Sequence, residues 1–267
     1  MPNSNLPVPS GLSDAMKAAL LGHQAAAVDK IALPRVDVMA QGVGLFEFRD
    51  SNPSVTVPEI TGVILHFRPQ FTLWDVPVNE EAEGESTAPA CSSFDGQYGT
   101  PRDDFAHIGN VLDDGTVECR PCPYNQWQSS HLVNRQGRGK ACANSRVLYL
   151  SLEDYKVPVQ LRLSPTSVKS FDEYLAMLLG KGTPVQTVAT TLTLERAEKG
   201  KLRWSKVNFS KQRDLMGEEI VHVLSQRDRF GDAMYLTPLI TEPRDEEDPD
   251  HPDLDDVSLD GDDEPPF

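Results

Sequence analysis

Read from the N-terminus, the alternation of apolar and polar positions predicts a β-rich body interrupted once. After a flexible lead of ten residues, LSDAMKAALLGHQAAAVDK (12–30) collects good helix formers and predicts a single helix, weakened by Gly22. Short runs of strand character follow at VGLFEFRD (43–50), GVILHFRP (62–69) and FTLWDVPV (71–78), separated by Asn, Pro and Ser. From about residue 79 to 145 the apolar period disappears. Strand signals resume at SRVLYLSLE (145–153) and VPVQLRLS (157–164). Phe171, Tyr174, Leu175, Leu178 and Leu179 then recur at helical spacing within 165–180, with Gly180 as the stop. VQTVATTLTLERA (185–197) and KLRWSKVNFSK (201–211) flank the turn EKGK and predict a long antiparallel hairpin. A last helix is expected over 214–229, and a Pro-rich acidic tail from 242.

This order predicts a mainly β, α+β domain over residues 31–241. The helix at 165–180 falls between strand pairs, which suits a Greek-key barrel of the oligonucleotide-binding (OB) type better than a sandwich. Residues 1–30 stand before that domain and 242–267 form a disordered tail after it. The stretch 79–145 is too long to be bare loop inside a compact domain, so something other than an apolar core must order it.

All four cysteines lie in that stretch. Cys91, Cys119, Cys122 and Cys142 are spaced C-x27-C-x2-C-x19-C, with the middle pair in CRPCPYNQW. A C-x-x-C turn presents two thiolates on one side, and two more from distant segments complete a tetrahedral zinc site of the closed, structural kind. The alternatives are free or disulfide-linked cysteines in a loop, or His107 or His131 in place of one thiolate.

Beside the C-x-x-C turn, residues 123–146 interleave Tyr124 and Trp127 with Arg135, Arg138, Lys140 and Arg146. The hairpin repeats the mixture with Lys201, Arg203, Trp204 and Lys206, and Trp74 is a third candidate ring. Aromatic faces take bases while cations take phosphates, which is what binding a single strand without sequence preference requires. The competing interpretation is a strand with one core face and one solvated face, in which Trp204 is core.

Charge changes the picture in one place. The chain carries a formal net charge of −16, but residues 242–267 hold thirteen Asp and Glu against the single Arg244. The low isoelectric point therefore describes the tail and does not exclude a polyanionic partner. The first residues lack the basic and apolar regions of a signal peptide, and no apolar run approaches the roughly 18–20 residues that span a bilayer. Four cysteines in such a chain suggest the reducing cytoplasm, where thiols bind metal more often than they pair.

The tail ends DDEPPF, with the chain's last aromatic on its last residue. A partner pocket could take the ring of Phe267, with cations at its rim for the terminal carboxylate, Asp262, Asp263 and Glu264, while Pro265 and Pro266 limit the entropy lost on ordering. The tip resembles the acidic Pro-Phe terminus of bacterial single-stranded-DNA-binding proteins, and the whole plan resembles phage-encoded proteins of the same role. CRPCPYNQWQSS and GRGKACANSR look like a zinc-knuckle region of phage proteins. The resemblance implies a non-enzymatic protein that coats single-stranded DNA in replication, recombination or repair. It implies too that Asp262, Asp263, Glu264, Pro266 and Phe267 recruit partner proteins, in the bacterial host cytoplasm if the chain is phage-encoded. Glu264-Pro265 departs from the apolar residue that commonly precedes Pro-Phe, which leaves the tail's partner open.

A different class is a zinc-containing transcription or replication adaptor that binds duplex DNA or a protein. An enzyme is not expected: the chain has no G-x-x-x-x-G-K-[ST], H-E-x-x-H or G-x-S-x-G. Asp103-Asp104 and Asp113-Asp114 read as solvated loop acids rather than magnesium ligands. The sequence leaves homo-oligomerisation open.

Overall fold

A computed structural model of the chain describes residues 33–49, 53–74, 89–133, 139–199 and 202–236. The helix expected over 12–30 and the acidic tail lie outside the described residues. The body is mixed α+β: one open sheet of eleven strands with a helix against each face.

The strands are β1 (Arg35–Val38), β2 (Phe46–Phe48), β3 (Val55–Val57), β4 (Glu59–Leu73), β5 (Cys91–Ser93), β6 (Tyr98–Pro101), β7 (Val117–Glu118), β8 (Cys142–Ser151), β9 (Val159–Leu163), β10 (Val188–Lys199) and β11 (Leu202–Asp214). The helices are α1 (Pro165–Gly180) and α2 (Gly217–Leu236). The main path runs β3-β2-β1-β9-β8-β4-β5-β6-β7, and the hairpin β10–β11 joins it through β4.

β4 organises this sheet. The sequence splits it at Pro69, yet it runs unbroken for fifteen residues, because β8 pairs with it from Val63 to Leu73. Its other edge pairs with β10 over Glu59–Gly62 and with β5 over Phe71–Leu73. Pro69 falls between those two ladders, where a missing N–H leaves no second strand unpaired.

Alternation along β4 and β8 feeds two cores. Ile64, Leu148 and Leu150 join Leu161, Phe171, Tyr174, Leu178, Leu192 and Val207 under α1. Val63, Leu65, Val147 and Tyr149 join Val223 and Met234 of α2 on the opposite face. Phe171 is fully buried, edge-on to Phe67 at 5.1 Å and 5.2 Å from Phe209. Helix α1 matches the expected span because Pro165 opens it and the apolar stripe ends at Leu178. The Ser167 hydroxyl accepts the Val207 backbone N–H at 3.0 Å and so ties α1 to β11.

The closed barrel expected from the order of elements is not formed among the described residues. The outer edge of β9 is taken by β1 in parallel, and β11 pairs with β10 alone. Parallel pairing from an N-terminal strand is invisible to local pattern, and it occupies the edge that closure would have used. The turn between β1 and β2 meets the hairpin instead: Arg196 Nη2 donates to Val43 O at 2.6 Å, and Gly44 N donates to Ser205 Oγ at 3.2 Å.

Helix α2 starts three residues later and ends seven later than expected. Glu219 sets that start by accepting the Met216 backbone N–H at 2.8 Å and both guanidinium nitrogens of Arg213, at 2.6 and 2.9 Å. The Arg213 hydrogen bonds, more than any other influence, hold its carboxyl down to about 2. Because its pKa is lowered in the folded state, the stabilisation is present above the ordinary Glu range of about 4.3 and is lost as pH falls through about 2. Glu219→Gln should therefore remove the acid sensitivity of the first turn of α2, read as amide exchange between pH 4.5 and 2. Phe171→Ala should cost about 3–5 kcal/mol in urea denaturation, whereas Leu179→Ala, on the exposed side of α1, should stay within about 0.5 kcal/mol.

Candidate functional site: a cysteine module on the end of the sheet

The region without apolar period forms a small module of its own. β5, β6 and β7 extend the sheet from the last residues of β4, and turns at Pro123–Asn125 and Ser129–Val133 return the chain to β8. Register brings two cysteines together, since Leu73 of β4 pairs with Cys91 of β5 on one side and Cys142 of β8 on the other. The C-x-x-C turn follows β7 and supplies Cys119 and Cys122. Its carbonyls are occupied: Asn125 Nδ2 donates to Cys119 O at 2.8 Å, and Gln126 Nε2 donates to Arg120 O and Cys122 O, each at 3.0 Å.

The four cysteines line one cavity of about 10 Å³, close to the size of a single water or ion. Gly99 closes it, for a Cβ there would lie 3.0 Å from Cys91 Sγ and 3.5 Å from Cys119 Sγ. All four are free thiols. Burial pushes the Cys91 thiol up to about 12, with the neighbouring Cys119 and Cys122 adding to it. Burial also raises Cys119 and Cys122, and it raises Cys142 further, with the other three sulfurs contributing. Among the described residues no three His, Cys, Asp or Glu side chains stand in an arrangement that could hold a metal ion. The zinc expectation therefore meets a gathered donor set and not a finished site: strand register delivers the thiols to one place, and ligand geometry is a further step.

His107 also lines the cavity, and its hydrogen bonds assign it a role. Gly109 N donates to Nδ1 at 2.9 Å, so in the neutral ring the proton sits on Nε2, which stands 3.6 Å from Cys122 Sγ. Burial lowers the His107 pKa and favours that neutral form. In this arrangement the imidazole donates to the Cys122 sulfur and has no lone pair free on Nε2 for a metal. His131, the other candidate, is exposed, and its Nδ1 lies 2.6 Å from Gln128 O.

The structure separates the nucleic-acid candidates. Trp127 is 73% exposed, and the half-buried Lys140, which donates to Asn125 Oδ1 at 3.3 Å, holds its Nζ 5.7 Å from the Trp127 ring centroid. Tyr124 is buried, 5.0 Å from the His107 ring, and belongs to the module's core. Arg146 turns towards α1, 3.9 Å from Asp172. Arg203 and Trp204 are successive residues of β11 and so point to opposite faces. Arg203 stands 3.8 Å from Glu198, while Trp204 is half-buried opposite Ala197 and Lys206 is opposite Glu195. Trp74 is half-buried just after β4. Arg135, Arg138, Lys201 and the tail residues Asp262, Asp263, Glu264, Pro266 and Phe267 lie outside the described residues.

Sequence reasoning missed a polar row. His66, Arg68, Gln70 and Thr72 alternate with Phe67, Pro69, Phe71 and Leu73 along β4. Arg68 Nε donates to Tyr149 Oη at 3.0 Å, and its guanidinium lies 4.8 Å from the Phe94 ring. The signal was the period-two pattern of HFRPQFTL, obscured by the apparent break at Pro69. The acid pairs considered for magnesium have local roles: Asp104 binds Arg102, and Asp114 accepts the Thr116 N–H and hydroxyl. No helix among the described residues is long and apolar enough to cross a membrane.

Ser129 fastens the module internally, donating to Tyr124 O and accepting the Ala141 N–H, both at 2.8 Å. Ser129→Ala strands those buried groups, and should cost about 1–3 kcal/mol with faster amide exchange at Ala141. Compared with protein-family models, curated proteins and solved structures, the chain matches none of them.

Proposed function

We propose that the protein binds single-stranded DNA without sequence preference, coating exposed strands in replication or recombination. The observation that carries this reading is the Trp127–Lys140 pair, a mostly exposed indole beside an ammonium group. An indole left in water has little packing value, whereas a base stacked on it contributes roughly 1–3 kcal/mol and a nearby cation meets the phosphate. The element order supports the same reading. β4, β8 and β9, then α1, then β10 and β11 follow the strand-strand-strand-helix-strand-strand sequence of the OB fold, here left unclosed. In that arrangement the cysteine module is the loop between the first and second strands, and the basic hairpin turn joins the fourth and fifth. Those are the two loops that flank the ligand in OB folds.

A structural zinc belongs to the proposal. Cys91, Cys119, Cys122 and Cys142 would hold it, with His107 donating to Cys122. Bound there, the ion would supply the order that a module poor in apolar residues lacks. Each thiol is raised by burial and so protonated near neutrality without metal; zinc uptake must release protons and strengthen as pH rises. The acidic tip enters through its resemblance: we read residues 262–267 as a docking element for replication or recombination proteins. We propose too that the tail's carboxylates compete with DNA on the same chain, since a random coil of 26 residues spans roughly 25–30 Å.

Purified protein should prefer an oligo-dT of about 30 nucleotides to a duplex of equal length, with affinity falling as salt rises. Equal or duplex-favoured binding contradicts the reading. Deleting residues 242–267 should tighten binding at low salt and have less effect at high salt. One zinc per chain is expected by elemental analysis. His107→Ala should keep the ion with about 10–100-fold lower affinity, while Cys122→Ser should lose it.

A further inference from the structure

Away from the cysteine module, a second cavity opens between α2 and β4, lined by His66, Arg227, Asp228, Gly231, Met234 and Tyr235. We propose that this cleft is a subsite for one nucleotide of the bound strand, with the base against Tyr235 and His66 and the phosphate at Arg227. The proposal rests on the single-strand reading above and adds residues that reading did not contain.

The cleft holds about 380 Å³, within the range of small-molecule sites and large enough for a nucleobase. Two of its lining residues, His66 and Tyr235, carry aromatic rings. The His66 ring is 5.9 Å from Tyr149 with an interplanar angle of 24°, and 4.9 Å from Tyr235 with an angle of 50°. Tyr235 is 62% exposed, which leaves ring surface open to a ligand. His66 Nε2 is buried and has no hydrogen-bond partner. Such an orphan is costly, and a base edge carries the donors and acceptors that would satisfy it once the exposed Tyr235 ring shifts to admit the ligand.

Two further features fit a nucleotide better than a bare anion. Arg227 and Asp228 make no ion pair among the described residues, although they are adjacent on the cleft's rim. A simple phosphate or an acidic peptide would meet the Asp228 carboxylate as well as the Arg227 guanidinium. A nucleotide offers its phosphate to the cation and base N–H groups to the acid. Gly231 is the other feature. It sits inside α2, where glycine costs about 1 kcal/mol relative to alanine, and a Cβ there would meet nothing within 4 Å. No packing contact requires it; its lack of a side chain widens the cleft.

The test uses the full chain and two exposed substitutions, Tyr235→Ala and Arg227→Ala, with circular dichroism confirming the fold. Against oligo-dT of about 30 nucleotides, Tyr235→Ala should weaken binding at least about fivefold. Arg227→Ala should weaken it and reduce the salt slope by about one. A 5-iodouracil oligonucleotide should photo-crosslink to Tyr235 or His66. If the wild type binds the strand, the variants stay within twofold and crosslinks fall elsewhere, the subsite is overturned while the function stands. If the wild type does not bind the strand, that reading fails, and the cleft is judged by thymidine 5′-phosphate alone, followed through the His66 ring protons by NMR. Shifts absent in Tyr235→Ala and not reproduced by inorganic phosphate support a nucleotide site. No shift, or an equal shift with phosphate, overturns it.

Discussion

One strand is common to everything described. β4 pairs with β8 along one edge and with β10 and β5 on the other, so both helix-covered cores and the cysteine module meet on fifteen residues. Period-two geometry makes this sharing work, because alternate side chains serve opposite faces. Ile64 packs under α1, Leu65 under α2, and Leu73 ends the strand between Cys91 and Cys142. A slip of one residue would exchange the faces and carry both cysteines away from the cavity.

The module on the end of that strand solves a different physical problem from the body. Its core is small: Leu73, Ala90, Val117, Tyr124, Val133 and Ala141 accompany three buried cysteines. Side-chain caps on the C-x-x-C turn and the Ser129 bonds supply local order, and four thiols converge on an ion-sized cavity. Thiols held protonated by burial carry no charge into that small core, and the proposed zinc would have to displace their protons. The Trp127–Lys140 pair is displayed from this module, so its presentation depends on the same bonds.

Local pattern carried α1 and the hairpin, and found α2 with both ends displaced. Helix α1 was legible to the residue because proline, apolar stripe and glycine agree. The hairpin was legible from alternation around a glycine turn. The short strands β1, β3, β5, β6 and β7 were not, since two to four residues hold no usable period and their pairing is set by partners far along the chain. Closure was misjudged for the same reason: the parallel contact of β1 with β9 leaves no local trace. At the site, the cysteine spacing was informative while the aromatic candidates were not. Tyr124 and Trp127 are three residues apart in one loop, and one is buried while the other is exposed. His66 and Tyr235 come together only because α2 lies on β4, 169 positions apart in sequence.

The most direct measurement of the account is amide hydrogen exchange on the full chain, with the proposed zinc supplied and after chelation. Coordination by the four thiols predicts that protection is lost across residues 91–142 and kept in β8 and β9 from Arg146 to Leu163. Protection in the module that is unchanged by chelation, on protein shown to be metal-free, would contradict the claim that thiolate coordination orders it.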